Sequence, residues 1–480
     1  MQLRLTENRT RLWTSVLALG AASAIGGGAL VAFVHPLAPF AAVLGLIAGA
    51  VVMSSMPLGL YAVIAVAVLL PFGALPINLG FNPTFLDLAL VAVFAMWFAR
   101  TALRQTETRF VGTPLGLPVL AFMILAVFSF IAGLAYAPVN TQVIRQFVEV
   151  LAAIAFFFVI VNVAQTRAAL RQLILALILA GFVAAAIGIA LYFIPRDWAM
   201  TLLSALRVFK YPTGDRVLRF IDDDPANPMR AVSTSVDPNV LGGLLILVTA
   251  LTAPQLFAAQ PLLPRKWIAV MWVTMFGCMV LTFSRGALLG LVIALAVIAT
   301  VRYRPILAVI ILGAAIFLLL PFTQDYVGHL LDAFTASDRA TQMRLGEYKD
   351  AFTLISRYPL FGVGFGGSPD LDTYLGVSSV YLLMAEEMGL LGLGAFLIAM
   401  GAFFNHVWRA WFAGGARDEF LAPILLGLAG ALLGALIGGV VDHYFFNLKF
   451  IHAVVLFWLF VGLGMATIRL AAVDNAPARL

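Results

Sequence analysis

Hydrophobic and polar positions along the chain alternate in blocks: long apolar runs, short polar links, and two longer polar segments. An apolar run of about 18 residues or more is long enough to cross ~30 Å of hydrocarbon as a helix. The pattern predicts fourteen spans, at residues 12–34, 37–54, 57–76, 84–103, 115–137, 146–164, 169–194, 239–259, 267–283, 286–301, 305–322, 379–404, 420–441 and 447–469. The second, third and tenth are short or closely spaced, which sets the range at about 12–14 spans. The first lacks a small-residue cleavage site followed by a soluble domain, and reads as a retained helix rather than a signal peptide. The expected class is all-α, a polytopic transmembrane helical bundle. Its parts are N-terminal membrane helices (1–194), a first polar segment (195–238), membrane helices (239–322), a large polar loop with a helix (323–378), C-terminal membrane helices (379–470) and a tail (471–480).

In the first polar segment, Pro195-Arg196-Asp197-Trp198 ends a helix. The stretch from Leu202 to Phe209 then reads as a short helix lying along the membrane surface. Asp222-Asp223-Asp224 could hold a divalent cation or form a solvated loop tip; hard cations need about five or more converging oxygens, which favours the loop tip. Asp237-Pro238-Asn239 opens an apolar run and has two readings, a helix N-cap or a sugar- or phosphate-binding helix start. In the large loop, the pattern predicts a helix from Asp338 to Arg357 with Leu345, Ala351, Phe352, Leu354 and Ile355 on one face. Tyr358-Pro359 ends it. Gly362-Val363-Gly364-Phe365-Gly366-Gly367 looks like a dinucleotide fingerprint, but it follows a helix and has no βαβ context. These glycines instead permit a tight turn or a backbone approach to a ligand.

Composition sharpens this. With 63% hydrophobic and 11% charged residues and a mean hydropathy of +1.04, a soluble globular protein, nearer ~25% charged, is excluded. The formal charge of +6 is largely a topology signal. More than half of the basic residues fall in alternate short connections, among them Arg100, Arg104, Arg167, Arg171, Arg302 and Arg304. The positive-inside rule puts these, and both termini, in the cytoplasm. Both long polar segments then lie outside, and no nucleic-acid partner is implied. One cysteine, Cys278, and five histidines without a His-x-x-x-His pair leave no basis for a disulfide framework, a zinc site or another metal or cofactor.

Charges at membrane depth are costly and are functional candidates by default. Arg145 and Glu149 are four apart and can pair. Arg285 stands between two spans in Thr282-Phe283-Ser284-Arg285-Gly286. Asp87, Glu386-Glu387 and Asp442-His443-Tyr444 complete the set. By this topology Arg145, Arg230, Arg285, Arg344 and Asp442 all belong to the outer half. Arginines gathered at one membrane surface make a phosphate or pyrophosphate site, because the guanidinium fork matches phosphate oxygens and stays charged. A pyrophosphate-bearing lipid is the natural ligand at that depth.

At these residues the chain resembles the bacterial O-antigen ligase and polysaccharide polymerase superfamily. The resemblance rests on Asp237-Pro238-Asn239, Thr282-Phe283-Ser284-Arg285-Gly286, Arg344 followed by Tyr358-Pro359-Leu360-Phe361-Gly362-Val363-Gly364, and Tyr381 to Gly392 with Glu386-Glu387 inside it. It covers roughly 230–395. The resemblance implies a glycosyltransferase of the GT-C type in the bacterial inner membrane, with a large periplasmic loop and an active site facing the periplasm. It implies transfer of a glycan from a polyprenyl-pyrophosphate donor to a glycan acceptor, inverting and without metal or nucleotide sugar, with a chain-length regulator as a possible partner. By the resemblance Arg285 and Arg344 would hold the pyrophosphate, with Arg145 and Arg230 in support; Asp237, Asn239, Ser378, Tyr381, Asp442 and His443 are the further residues expected on the substrate.

One position departs from the pattern. Ligases of this superfamily carry a histidine three residues before the tyrosine matched by Tyr381, and here that residue is Ser378. Serine is a poor general base, so Glu347, Asp370 or Asp372 would have to take that part. The departure favours a polymerase of repeat units over a ligase to a lipid core. Transport of lipid-linked sugars is the alternative of another class. Transporters tend to show paired repeats with matching broken helices, whereas the two polar segments here differ in length and character.

Overall fold

The computed structural model describes residues 49–76, 81–102, 110–138, 140–319, 339–370 and 372–474. The expected span 12–34, most of 37–54, the loop from Asp325 to Asp338 and the last residues of the tail lie outside the described residues. The chain divides into two compact units, Met1–Gly59 and Leu60–Leu480. In the first, the described residues are helical over 49–54 and enter the next helix at Met56.

Among the described residues the helices are α1 (Met56–Leu69), α2 (Phe85–Ala102), α3 (Gly116–Gly133), α4 (Thr141–Val163), α5 (Arg167–Phe193), α6 (Arg196–Ala205) and α7 (Pro238–Thr252). They continue as α8 (Arg265–Leu281), α9 (Arg285–Val301), α10 (Pro305–Leu319), α11 (Arg339–Arg357), α12 (Val380–Phe412), α13 (Leu421–Gly438) and α14 (Ile451–Asp474). A helix lies over each expected span from the third to the fourteenth. Among the described residues eight helices are long and apolar enough to cross a membrane, and α1 and α9 are shorter apolar helices. The protein is a polytopic helical membrane protein. Its one sheet among the described residues is a hairpin, with β1 (Arg219–Phe220) antiparallel to β2 (Met229–Arg230).

The core sits around α7, α13 and α14. Of the membrane-length window of α14, 94% is buried within the protein, against 28% for α2 or α3, so the latter two are peripheral. Small residues let the central helices approach. A Cβ at Gly434 of α13 would come 2.8 Å from the Gly290 carbonyl oxygen of α9. Such close crossings replace the hydrophobic driving force that helices lack inside lipid.

The helix α12 is broken at Gly389, which sits at φ 67 and ψ −175, a region open in practice to glycine. The glycine turn after α11 docks into that break. Val363 N–H donates to the Glu386 carbonyl at 2.8 Å, Gly364 N–H to that of Glu387 at 3.0 Å, and Leu390 N–H to that of Pro359 at 2.7 Å. Backbone groups freed at membrane depth must find protein partners, and this turn supplies them. The close backbone approach foreseen for the glycines is therefore to another stretch of this chain.

Two local readings are corrected. The surface helix runs from Arg196, directly after Pro195 at its N-cap, and 206–209 forms a 3-10 turn. Proline starts this helix rather than only closing the previous one. On α11 the inward face is Ala351 and Leu354, fully buried, with Tyr348 against them. Leu345 and Phe352, a spacing of seven, lie on an exposed face instead.

Candidate functional site

Successive helices sort the polar residues to two ends of the bundle. At one end, Arg167 binds Asp418, Arg171 the Leu262 carbonyl at 2.8 Å, and Arg469 the carbonyls of Val161 and Ala164, both at 3.0 Å. The other end carries both polar segments. A cavity of about 130 Å³ opens there, lined by Arg230, Asn239, Arg285 and Arg344 together with Phe220, Ile221, Asp222, Asp223, Phe283, Ser284 and Gly286.

Each arginine is held by a different element. Arg230 ends β2, donating from Nε to the Thr282 carbonyl at 2.8 Å and from Nη2 to Asn239 Oδ1 at 2.7 Å. Asn239 is fixed in turn by its place in the first turn of α7. There Asp237 Oδ1 accepts the amides of Asn239 at 2.7 Å and Val240 at 3.2 Å, and Pro238 follows the cap. Asp237 thus acts as the N-cap and Asn239 faces the cavity. Arg285 is the first residue of α9. Arg344 projects from α11, with Nη2 3.9 Å from Asp442 Oδ1.

The turn Thr282-Phe283-Ser284 carries strain. Phe283 has φ 52, and Asp222 (φ 55) and Asp223 (φ 56), on the same cavity wall, are also left-handed. Such residues cost about 1–3 kcal/mol each and gather at binding sites. The aspartate run is a hairpin tip, with Asp224 Oδ1 accepting the Ala226 amide at 2.9 Å. Among the described residues no three His, Cys, Asp or Glu come together to hold a metal ion.

Other candidates fall elsewhere. Arg145 does not line this cavity: it pairs with Glu149 and with Asp87 at 3.6 Å, and its guanidinium lies over Phe81. Asp370 and Asp372 bind Arg357 at 2.8 and 3.4 Å. Tyr381 donates its hydroxyl to the Leu436 carbonyl at 2.8 Å. Glu347, one turn beyond Arg344, accepts the Ser378 amide at 2.9 Å. Glu386 Oε2 accepts the Gly376 amide at 3.3 Å. The sequence reading did not place Phe220, Asp222, Asp223 or Phe283 on this cavity; the signals were the aspartate run, the Thr282–Gly286 motif and closeness in sequence to Arg230 and Arg285.

Burial dominates the electrostatics beside the cavity. It pushes the Asp442 carboxyl up to about 7, against the opposing pull of Arg344 and Arg230. Burial raises the Tyr444 phenol well above its usual value and lowers the His443 imidazole. Three guanidinium groups on one small cavity, next to a helix N-terminus, form an anion site.

Fold and site together define a polytopic helical membrane protein with an arginine-lined anion cavity at one end of its bundle. Residues 270–397 match the family model for O-Antigen ligase. The match supports an O-antigen ligase-like family and a membrane enzyme of the ligase or polymerase type. It carries Arg285, Arg344, the glycine turn and the break in α12, whereas Arg230, Asn239 and Asp442 lie outside it. No curated protein matches the chain.

Proposed function

We propose that the protein is a GT-C-type glycosyltransferase that polymerises polysaccharide repeat units from an undecaprenyl-pyrophosphate-linked donor, on the periplasmic face of the bacterial inner membrane. The observation that carries this reading is the meeting of Arg230, Arg285 and Arg344 on one cavity. In the reaction an acceptor hydroxyl attacks the anomeric carbon from the face opposite the pyrophosphate, so the configuration inverts. Negative charge grows on the departing lipid pyrophosphate. Preorganised guanidinium groups meet that charge as it forms, a task worth about 10²–10³ in rate per donor at comparable sites. No metal or nucleotide sugar is required, because the arginines supply the cationic partner and the donor is already activated by its pyrophosphate.

Orientation is supported by the sorting of the polar residues. The end opposite the cavity gathers Arg167, Arg171, Arg302 and Arg469, the pattern expected of a cytoplasmic face. The same donor chemistry serves a ligase that joins finished glycan to a lipid core.

Deletion in the host separates the two. Loss of long chains identifies a polymerase, and long chains left on the carrier lipid identify a ligase. Arg285→Ala and Arg344→Ala abolish product while the protein stays in the membrane; normal product in both variants overturns the reading.

A further inference from the structure

The hairpin that closes one side of the cavity is held from two directions. Strand β2 is tied to the bundle: Arg230 binds the Thr282 carbonyl and Asn239, and the Ala231 amide donates to the Leu281 carbonyl at 2.8 Å. Strand β1 and the tip bring Phe220, Ile221, Asp222 and Asp223 to the cavity, and this half leans on α6. Arg196 lies over the Phe220 ring at 5.0 Å and donates from Nη1 to the Pro225 carbonyl at 3.2 Å. Ala199 and Leu203 pack with Val217 and Val232, which flank the hairpin.

These contacts use one face of α6. Arg196, Ala199 and Leu203 stand three and four residues apart and share the face toward the hairpin. Trp198 and Leu202, also four apart, share another, and they are 66% and 54% exposed. Val208, just beyond the helix, is exposed as well, and so is Phe193, the last residue of membrane-length α5. Only Ile194 and Pro195 separate α5 from α6, so this apolar face lies where the chain leaves the bilayer. Tryptophan is enriched at that depth. The exposed Arg207 and Lys210 follow the helix, and basic residues beside an apolar helix face are drawn to anionic lipid headgroups. A lipid surface accounts for the tryptophan and for the charge.

We propose that Trp198 and Leu202 dock α6 on the lipid surface at the cavity end of the bundle, and that Arg196 carries this anchorage to the wall formed by Phe220 to Asp223. Lipid contact then sets that wall against the one fixed by the bundle, which bears Arg230 and Arg285, and so fits the cavity to its anion. Arg196 is a positioning residue: it lies behind the wall and acts through Phe220. The coupling needs an anion in the cavity but no glycosyl transfer, so it stands or falls apart from the reaction proposed above. Lipid and anion favour the same placement of α6, and each therefore strengthens the binding of the other.

The test uses the full-length protein in nanodiscs of phosphatidylethanolamine and phosphatidylglycerol and, free of lipid, in amphipol. Cys278, the one cysteine, is buried, so a nitroxide attaches to an added cysteine alone. In nanodiscs, nitroxides on Trp198→Cys and Leu202→Cys are expected to be reached by oxygen and shielded from a nickel chelate. One on Asp197→Cys, an exposed position off that face, is reached by the chelate. Farnesyl pyrophosphate binds the wild type about two- to fivefold more tightly in nanodiscs than in amphipol, the size expected of one exposed cation–π contact. Arg196→Ala removes that gain in nanodiscs and changes nothing in amphipol, and so does the pair Trp198→Ser with Leu202→Ser. All three changes together lose no more than either set alone, because both sets break one path.

Labels at 198 and 202 open to the chelate overturn the docking. Labels there shielded from both oxygen and chelate reveal a protein partner, a second copy included, and overturn it too. Arg196→Ala that binds like wild type in nanodiscs, or that loses as much in amphipol, overturns the coupling, as do losses that add. Wild type that binds in neither medium removes the anion cavity and this inference with it. The expected coupling in a protein that forms no glycan product removes the transfer reading alone.

Discussion

Helix α9 begins and ends on an arginine, and the two ends are not alike. Arg302, at its C-cap, donates to the Ala416 carbonyl and lies over the rings of Tyr303 and Trp411. A cation there suits the negative end of the helix dipole. Arg285, at the first helical position, meets the positive end, where a cation is disfavoured by about 0.3–1 kcal/mol. The contrast extends over the bundle. At the Arg302 end, Arg171 and Arg469 close onto backbone carbonyls of Leu262, Val161 and Ala164. At the Arg285 end, guanidinium groups are set around a cavity. Arginines of the first kind finish helices; those of the second are placed against local preference, as a binding site requires.

The strongest way to break that contrast is to make the same change at both ends. Arg285→Ala lowers transfer by about 10²–10³-fold, whereas Arg302→Ala leaves it unaltered. Arg285→Lys recovers only part of the loss, since a lysine keeps the charge without the fork. Equal losses at both ends, read as product formed per unit of membrane protein, would abolish the distinction.

Next in size is the break in α12. Among the described residues only the cavity end depends on a loop threaded into a discontinuous helix, and a Cβ at Gly389 would run into the Leu360 carbonyl. Gly389→Ala is expected to cost at least about 1–3 kcal/mol and to undock residues 359–364. Limited proteolysis reports this as new cleavage in the loop, with the opposite end intact.

Asp442 gives a smaller, pH-dependent effect. Its carboxyl titrates near 7 rather than at the ordinary 3.8. Above that pH it is ionised and offsets the charge of Arg344, and below it the carboxyl is neutral and Arg344 faces the ligand alone. Asp442→Asn should therefore bind farnesyl pyrophosphate more tightly than wild type at pH 8, about fivefold for a pair worth ~1 kcal/mol. The two affinities converge by pH 6, and an affinity ratio constant with pH contradicts the role given to the pair.

Much of the fold was legible in the sequence because hydrocarbon thickness imposes a length on every span, and apolar runs such as 169–194 and 420–441 record it directly. Residues that define the site were legible only as types: Arg285 and Arg344 stand out as charges at membrane depth. What joins them is not local. Leu382 to Leu391 reads as one continuous helix, and the break at Gly389 shows only when the turn from Pro359 to Gly364, some thirty residues earlier, supplies the missing hydrogen bonds. The inward face of α11 was misread because Leu345 and Phe352 satisfy one helical spacing, while Tyr348, Ala351 and Leu354 satisfy another that packing selects. The contact of the Tyr348 hydroxyl with the Val440 carbonyl joins segments about ninety residues apart, which no periodicity reports.

The smallest expected effect is the one that defines the structural end. Arg302 is exposed and does not line the arginine cavity, and its ion–dipole and carbonyl contacts are partly screened by water. Arg302→Ala should therefore cost about 0.3–1 kcal/mol of stability, read as a small fall in unfolding temperature of the detergent-solubilised protein. Arg469 is more buried and binds two carbonyls, so Arg469→Ala should cost more, about 1–3 kcal/mol, through the carbonyls left unpaired. Neither change alters transfer once the amount of folded protein is matched. If Arg469→Ala slowed transfer at matched protein while Arg285→Ala did not, the division of labour between the ends would be reversed, and the ligand would have to be sought at the opposite face.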